Sequence, residues 1–338
     1  MNRSQSCPIF TQCGLCSLLA KSKEEEREQK KQLLTKLFSQ PIHFIDSPKE
    51  FHYRKRISLR SNKNGVLGYH KPQSHTLIPI QYCAIADTRI NIALKNISPC
   101  PVTIQSIEFR TNGKKLVAQI YSPKGRTISA KKICSWLDGL VDAIALDRRI
   151  IHSDPFLSFT ISDVHHRFHP QSFFQINSDI NEQLVEDICT RVDAIQPSHI
   201  LDLFAGAGNI GLALAKKGYN VTLMESAPTS CSDAKKTCTR NNLKANMIQS
   251  PVEKYTAGSL FFDLLILDPP RAGCGPKIKD FVLTKPANII YVSCHPYSLK
   301  RDASLLKKEG YTIQKITAYN MFPGTEHVET LCSFIRTP

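Results

Sequence analysis

Two textures of hydrophobic patterning divide the chain. From about residue 177 onward, near-continuous apolar runs of strand length alternate with helical stretches. Residues 179–192 read as a helix, followed by HILDLF, the helix NIGLALAKKG, NVTLMES, a helix over 227–243, FFDLLILD, NIIYVSC and a helix over 298–309. Strands that are apolar on both faces belong to a sheet covered by helices on both sides. This half is therefore expected to be α/β, a doubly wound Rossmann-like sheet with ligands at the carboxyl ends of its strands. The last two segments, 311–320 and 327–336, follow without an intervening helix and are expected to form a hairpin at the sheet edge.

Earlier in the chain the pattern changes. Residues 41–168 show short β-rich runs broken by turn residues; 51–60 (FHYRKRISLR) and 102–110 (VTIQSIEFR) alternate as half-buried strands, and 130–140 reads as a helix. A mixed α+β domain is expected. Residues 21–36 (KSKEEEREQKKQLLTK) have helix-forming composition and so many charges that a solvated linking helix is predicted. The expected division is a cysteine-bearing segment and linker helix over 1–40, the α+β domain over 41–170, and the α/β domain over 171–338. No internal repeat or low-complexity tract interrupts this order.

Composition narrows the function. With 338 residues, 41% of them hydrophobic, the chain can bury large cores. No apolar run approaches membrane-span length, and the opening MNRSQSC lacks a secretory core, so a cytoplasmic protein, expected to be a monomer, is predicted. The net charge of +15, from 44 basic against 29 acidic residues, favours a polyanionic partner, although solubility alone would also account for it. Between residues 51 and 71, Arg54, Lys55, Arg56, Arg60, Lys63 and Lys71 are interleaved with Phe51, Tyr53 and Tyr69, without an acid. Such a stretch suits looped or single-stranded RNA, or else forms a solvated basic face.

The candidate chemistry lies at predicted strand ends. Asp202 opens DLFAGAGNIG, whose glycines Gly206, Gly208 and Gly211 let the backbone approach a ligand, and Glu225 closes the second strand 19 residues after Gly206. The spelling is also a literal GxGxxG, weak evidence for a dinucleotide; the surrounding residues favour S-adenosylmethionine. After the fourth strand comes Asp268-Pro269-Pro270-Arg271, a rigid loop with an arginine where amino-methylating enzymes usually carry an aromatic residue. The next strand ends at Cys294. A thiolate there, added to C6 of uracil, would turn C5 into a nucleophile able to attack a sulfonium methyl group. His295 or a nearby cation would help hold the thiolate. A base must then take the C5 proton; Glu326 and Glu329 are both available, and spacing does not choose between them.

Twelve cysteines without a secretory signal argue against a disulfide framework. Cys134, Cys189 and Cys332 read as core. Cys7, Cys13 and Cys16, separated by five and two residues, could wrap one metal centre with Cys83 as fourth ligand. Three close cysteines and a distant one suit an iron–sulfur cluster, with structural zinc as the alternative. The spacing is not that of radical S-adenosylmethionine enzymes.

Taken in order, PQSFFQIN (170–177), DLFAGAGNIG, DPPRAG, VSCHP and FPGTEHVET resemble the RNA uracil-C5 methyltransferases, which make 5-methyluridine in ribosomal and transfer RNA. The resemblance implies a class I methyltransferase sheet, Cys294 as nucleophile and Glu329 as base. It implies that Gln175, Phe204, Asn209, Glu225 and Asp268 surround S-adenosylmethionine. It further implies a [4Fe–4S] cluster on Cys7, Cys13, Cys16 and Cys83, an FxYR-type RNA-binding segment at residues 51–54, and the ribosomal RNA branch without an N-terminal β-barrel domain. Two departures stand out: His295 replaces the family's usual asparagine, and the ligand expected within residues 249–253 is not evident. The competing readings are uridine-54 methylation of transfer RNA, methylation of another base, and a non-enzymatic iron–sulfur RNA-binding module.

Overall fold

The computed structural model describes residues 3–71, 74–256 and 261–337. The apolar runs of the second half assemble into an eight-stranded sheet. Its order is His43–Ile45, Tyr311–Tyr319, Glu329–Arg336, Asn288–Ser293, Leu264–Leu267, Ile200–Leu203, Val221–Glu225 and Asn246–Gln249. The Asn288–Ser293, Leu264–Leu267, Ile200–Leu203, Val221–Glu225 and Asn246–Gln249 strands pair in parallel, and Glu329–Arg336 runs antiparallel to both its neighbours. Two apolar clusters cover its faces: one includes the Ser178–Ile195 helix, the other the Pro296–Lys308 helix. The strands turn around Ile200–Leu203, so their carboxyl ends open a crevice there.

The C-terminal hairpin forms as expected but does not lie at the edge. Glu329–Arg336 inserts between Asn288–Ser293 and Tyr311–Tyr319, and His43–Ile45 closes the sheet in parallel with Tyr311–Tyr319. A three-residue strand is too short to show periodicity.

The expectation of a solvated linker helix is corrected. Lys23–Phe38 opens with a capping box between Ser22 and Glu25, then packs Leu34 and Phe38 into the cluster beneath the sheet. Glu26 and Lys30 are buried as well. Charges dominate the composition, but positions 26, 30, 34 and 38, each four residues apart, form an inward face.

A seven-stranded sheet occupies the preceding region, ordered Leu77–Pro79, Leu67–His70, Arg56–Ser61, Ser106–Thr111, Leu116–Tyr121, Ala143–Leu146 and Arg149–His152. It is antiparallel except between Leu116–Tyr121 and Ala143–Leu146. The helices Thr88–Asn96 and Ala130–Leu137 contribute to its core. Among the described residues no helix is long and apolar enough to cross a membrane.

Candidate active site

Where the parallel strands end, a cavity of about 880 Å³ opens. Its lining includes Gln175, Phe204, Asn209, Glu225, Asp268, Cys294 and Glu329, so the sequence-predicted cofactor and catalytic positions meet on one surface. Cys7, Cys13, Cys16 and Cys83 line the same cavity farther along, with Arg54 and Arg56. None of residues 249–253 lines it.

The glycine-rich loop is shaped by two carboxylates. Asp202, fully buried, accepts the Gly211 N–H at 3.0 Å, and a Cβ at Gly211 would come within 2.7 Å of that carboxylate. Burial first, then the nearby Asp268, pushes the Asp202 carboxyl well above the usual range. Glu225 accepts the Gly206 N–H at 3.0 Å and the Ala227 N–H at 2.7 Å. It thus ties the first loop to the second. Asn209 exchanges hydrogen bonds with Asn181. Asn181 also lines the cavity, on a helix whose interior carries no motif to mark it.

Asp268 leaves the Leu264–Leu267 strand into the two prolines, and burial pushes its carboxyl up to about 7. The loop that follows is held from behind. Asp302 accepts N–H bonds from Cys274 and Gly275 and the Tyr291 hydroxyl, while Ser298 donates its hydroxyl to the Arg271 carbonyl.

Cys294 follows the Asn288–Ser293 strand and is partly exposed to the cavity. Burial, then Glu329 and Asp268, push its thiol up to about 11, with Arg271 acting in the opposite sense. His295 does not play the expected part. Its Nδ1 accepts the Ser298 N–H at 3.3 Å and lies 2.8 Å from the Ser298 hydroxyl, capping the Pro296–Lys308 helix. Asparagine is among the best helix N-caps, so the histidine fills that role with its neutral ring, and the cation beside the thiol is Arg271.

Geometry separates the two candidate bases. Glu329, first residue of its strand, is 2% exposed and faces the cavity, whereas Glu326 is exposed and bonded to the Ser17 hydroxyl. Burial and Asp268 push the Glu329 carboxyl well above its ordinary value.

At the far end, Cys7 ahead of the Phe10–Cys13 helix, Cys13 at its last position and Cys16 in the turn after it line the cavity together with Cys83. Cys16 is pushed up to about 12 by burial and by Cys83, Cys13 and Cys7; Cys13 rises through burial, with Cys83 and Cys7 adding. Arg54 is the cation facing Cys16 and Cys83. All four thiols are free of disulfides. Among the described residues no group of three possible ligands closes on a single metal ion.

The basic stretch is more structural than its composition implies. Tyr53 is buried and donates its hydroxyl to the Pro323 carbonyl, and Lys55 pairs with Asp87 at 2.6 Å. Neither is available to RNA. Arg56 instead lies over the ring of Phe173, which is exposed at the cavity and falls within the PQSFFQIN motif, where no role was assigned to it.

The model of the tRNA (uracil-5-)-methyltransferase family matches residues 142–258 and 252–336, more than half of the chain. The 23S rRNA (uracil(1939)-C(5))-methyltransferase RlmD of Dichelobacter nodosus is 28% identical over 356 residues, covering 98% of this chain and 84% of that protein. The tRNA (uracil-54, C5)-methyltransferase of Pyrococcus abyssi, solved with S-adenosyl-L-homocysteine, superposes with a TM-score of 0.78 at 26% identity, covering 95% of this chain and 85% of that one. Sheet order, cavity and sequence agree: the chain belongs to the tRNA (uracil-5-)-methyltransferase family, the S-adenosylmethionine-dependent RNA uracil-C5 methyltransferases.

Proposed function

We propose that Cys294 and Glu329 perform the chemistry, on a uridine of 23S ribosomal RNA. The observation that carries this reading is the convergence of Cys294, Asp268 and Glu329 on the cavity that the glycine-rich loop also lines. S-adenosylmethionine, when bound, supplies an electrophilic methyl group and a positive charge; Gln175, Phe204, Asn209, Glu225 and Asp268 would hold it. Cys294 sulfur adds to C6, placing electron density on C5, which would bond to the methyl carbon as the carbon–sulfonium bond breaks and S-adenosylhomocysteine leaves. Glu329 then removes the C5 proton, the C5–C6 double bond re-forms and the sulfur leaves. A carboxylate raised by burial is a stronger base once ionised. With the thiol and carboxyl both raised, a cation in the cavity favours the ionised form of each.

Cys7, Cys13, Cys16 and Cys83 are proposed to hold a [4Fe–4S] cluster. In a cluster each thiolate takes a different iron, so its sulfurs stand farther apart than around one zinc. Cys13, Cys16 and Cys83, whose proton affinity is raised by burial and then by neighbouring thiols, suit a group carrying positive metal charge. Iron and acid-labile sulfide after anaerobic purification are the expected result; zinc with no sulfide would overturn the assignment.

Ribosomal RNA is proposed as the target on the likeness to a 23S enzyme; the transfer-RNA enzyme of Pyrococcus abyssi matches over a comparable length and at similar identity, so the target is decided by the cell experiment below. The protein is further proposed to work in the cytoplasm as a monomer. The deciding experiment incubates the protein with RNA containing 5-fluorouridine. A covalent complex that Cys294→Ala abolishes is expected, and its absence would sink the mechanism. Loss of 5-methyluridine from 23S rRNA, not transfer RNA, in cells lacking the protein tests the target.

A further inference from the structure

The connection between Tyr319 and Glu329 has no helix or strand of its own, yet Asn320, Met321, Pro323, Gly324 and Thr325 are buried. Buried irregular backbone needs partners for its N–H and C=O groups. Here they come from far away in the chain. Glu26 accepts the Gly324 N–H at 3.1 and 3.0 Å through its two oxygens, and Leu18 N–H donates to the Gly324 carbonyl at 3.0 Å. Lys30 donates to Glu26 at 2.7 Å and to the Asn320 side chain at 2.8 Å, and Arg3 closes on Glu26 at 2.7 Å. From the other side Tyr53 holds the Pro323 carbonyl at 3.0 Å. Gly324 has φ +81, and a Cβ there would meet Leu19 at 2.7 Å, so the turn is seated against the N-terminal segment.

A buried ion pair contributes little net stability compared with apolar packing of the same volume. What this one does supply is direction: it fixes one backbone turn, five residues before Glu329. We infer that Glu26, Lys30 and Tyr53 are positioning residues for Glu329, holding the loop that aims its carboxyl at the substrate. The assignment rests on Glu329 acting as the base. The same clamp joins residues 17–19, directly after Cys16, to the active site.

The experiment separates steps of the reaction. Sulfur addition and methyl transfer do not require the base; release of the product does. Lys30→Met and Tyr53→Phe are compared with wild type and Glu329→Gln, using natural RNA for turnover and for accumulated covalent RNA–protein adduct, and 5-fluorouridine RNA for the rate of trapping. The expected result for both variants is turnover slowed roughly ten- to hundredfold, the scale of a small misplacement of a reacting group. Adduct should accumulate on natural RNA, and trapping by the fluorinated RNA should keep its wild-type rate. Turnover at the wild-type rate, or trapping slowed in proportion to turnover, overturns the inference. Tyr53→Phe deletes a single hydroxyl and keeps the test open if Lys30→Met does not fold. If wild type is not trapped, or Glu329→Gln accumulates no adduct, the underlying reading fails instead.

Discussion

Asn181 and Asn209 exchange two side-chain hydrogen bonds, at 3.0 and 2.9 Å, across the mouth of the glycine-rich loop. The pair fixes both amides, so that Asn209 meets a ligand in one orientation. Removing one partner leaves the other free to rotate and poorly satisfied. Asn181→Ala is expected to weaken S-adenosylmethionine binding by about 1 kcal/mol, roughly fivefold, in calorimetry. Unchanged affinity would show that the pair is structural only.

Cys294 is expected to react slowly in the empty protein. Its thiol is raised from 9.0 to about 11, so the thiolate fraction grows as pH rises towards that value. Alkylation by iodoacetamide, read by mass spectrometry on the Cys294 peptide, should climb about tenfold per pH unit between 7 and 10. S-adenosylmethionine, which carries a positive sulfonium, should accelerate it; neutral S-adenosylhomocysteine should not. A fast, pH-independent reaction would contradict the electrostatics described for the site.

His166 should make the fold acid-sensitive. Both of its ring nitrogens are buried without a hydrogen-bond partner, and its ring stacks on Phe168 at 5.4 Å. Burial, then Arg240 and His165, lower it from 6.5 to about 4. The folded state therefore favours the neutral ring. Above pH 6.5 the ring is neutral in both states and its titration contributes nothing, and stability is lost as pH falls from 6.5 towards 4 because the unfolded chain takes up the proton first. The loss from this residue is at most about 3 kcal/mol. His166→Leu should flatten that limb in urea titrations at pH 7 and pH 4.5; an identical slope in the variant would exclude the account.

Asp302→Ala should be costly although it lies behind the site. It strands the Tyr291 hydroxyl and the N–H groups of Cys274 and Gly275 in a buried setting. A loss of about 3 kcal/mol is expected from chemical denaturation. A change below about 0.5 kcal/mol, the range of ordinary surface substitutions, would mean that water replaces the carboxylate.

Much of the α/β half was legible because its signals are local. Apolar runs set the strands, and each motif sits where a strand hands over to a loop, so Asp202, Glu225, Asp268 and Cys294 fall at neighbouring strand ends. The misreadings share a cause: they depend on partners remote in sequence. Lys23–Phe38 looked solvated because the groups that satisfy Glu26 and Lys30 lie 298 and 290 positions away. Tyr53 looked like a stacking surface because its partner, Pro323, is 270 residues distant. Asn181 was invisible since nothing in a helix interior distinguishes a polar residue that meets a loop from one that meets water. Spacing alone left Glu326 and Glu329 inseparable; the family resemblance pointed to Glu329, and burial separates the two.

The placement of Glu329–Arg336 between two strands that both precede it in the chain has a consequence for biosynthesis. Until residue 336 has emerged from the ribosome, Asn288–Ser293 lacks one neighbour and the parallel pair of Tyr311–Tyr319 and His43–Ile45 has nothing to dock on. Two apolar edges stay open during that interval, a standing invitation to aggregation. The nascent chain is thus obliged to withhold its final sheet assembly, and its active site, until the Glu329–Arg336 strand is available to insert.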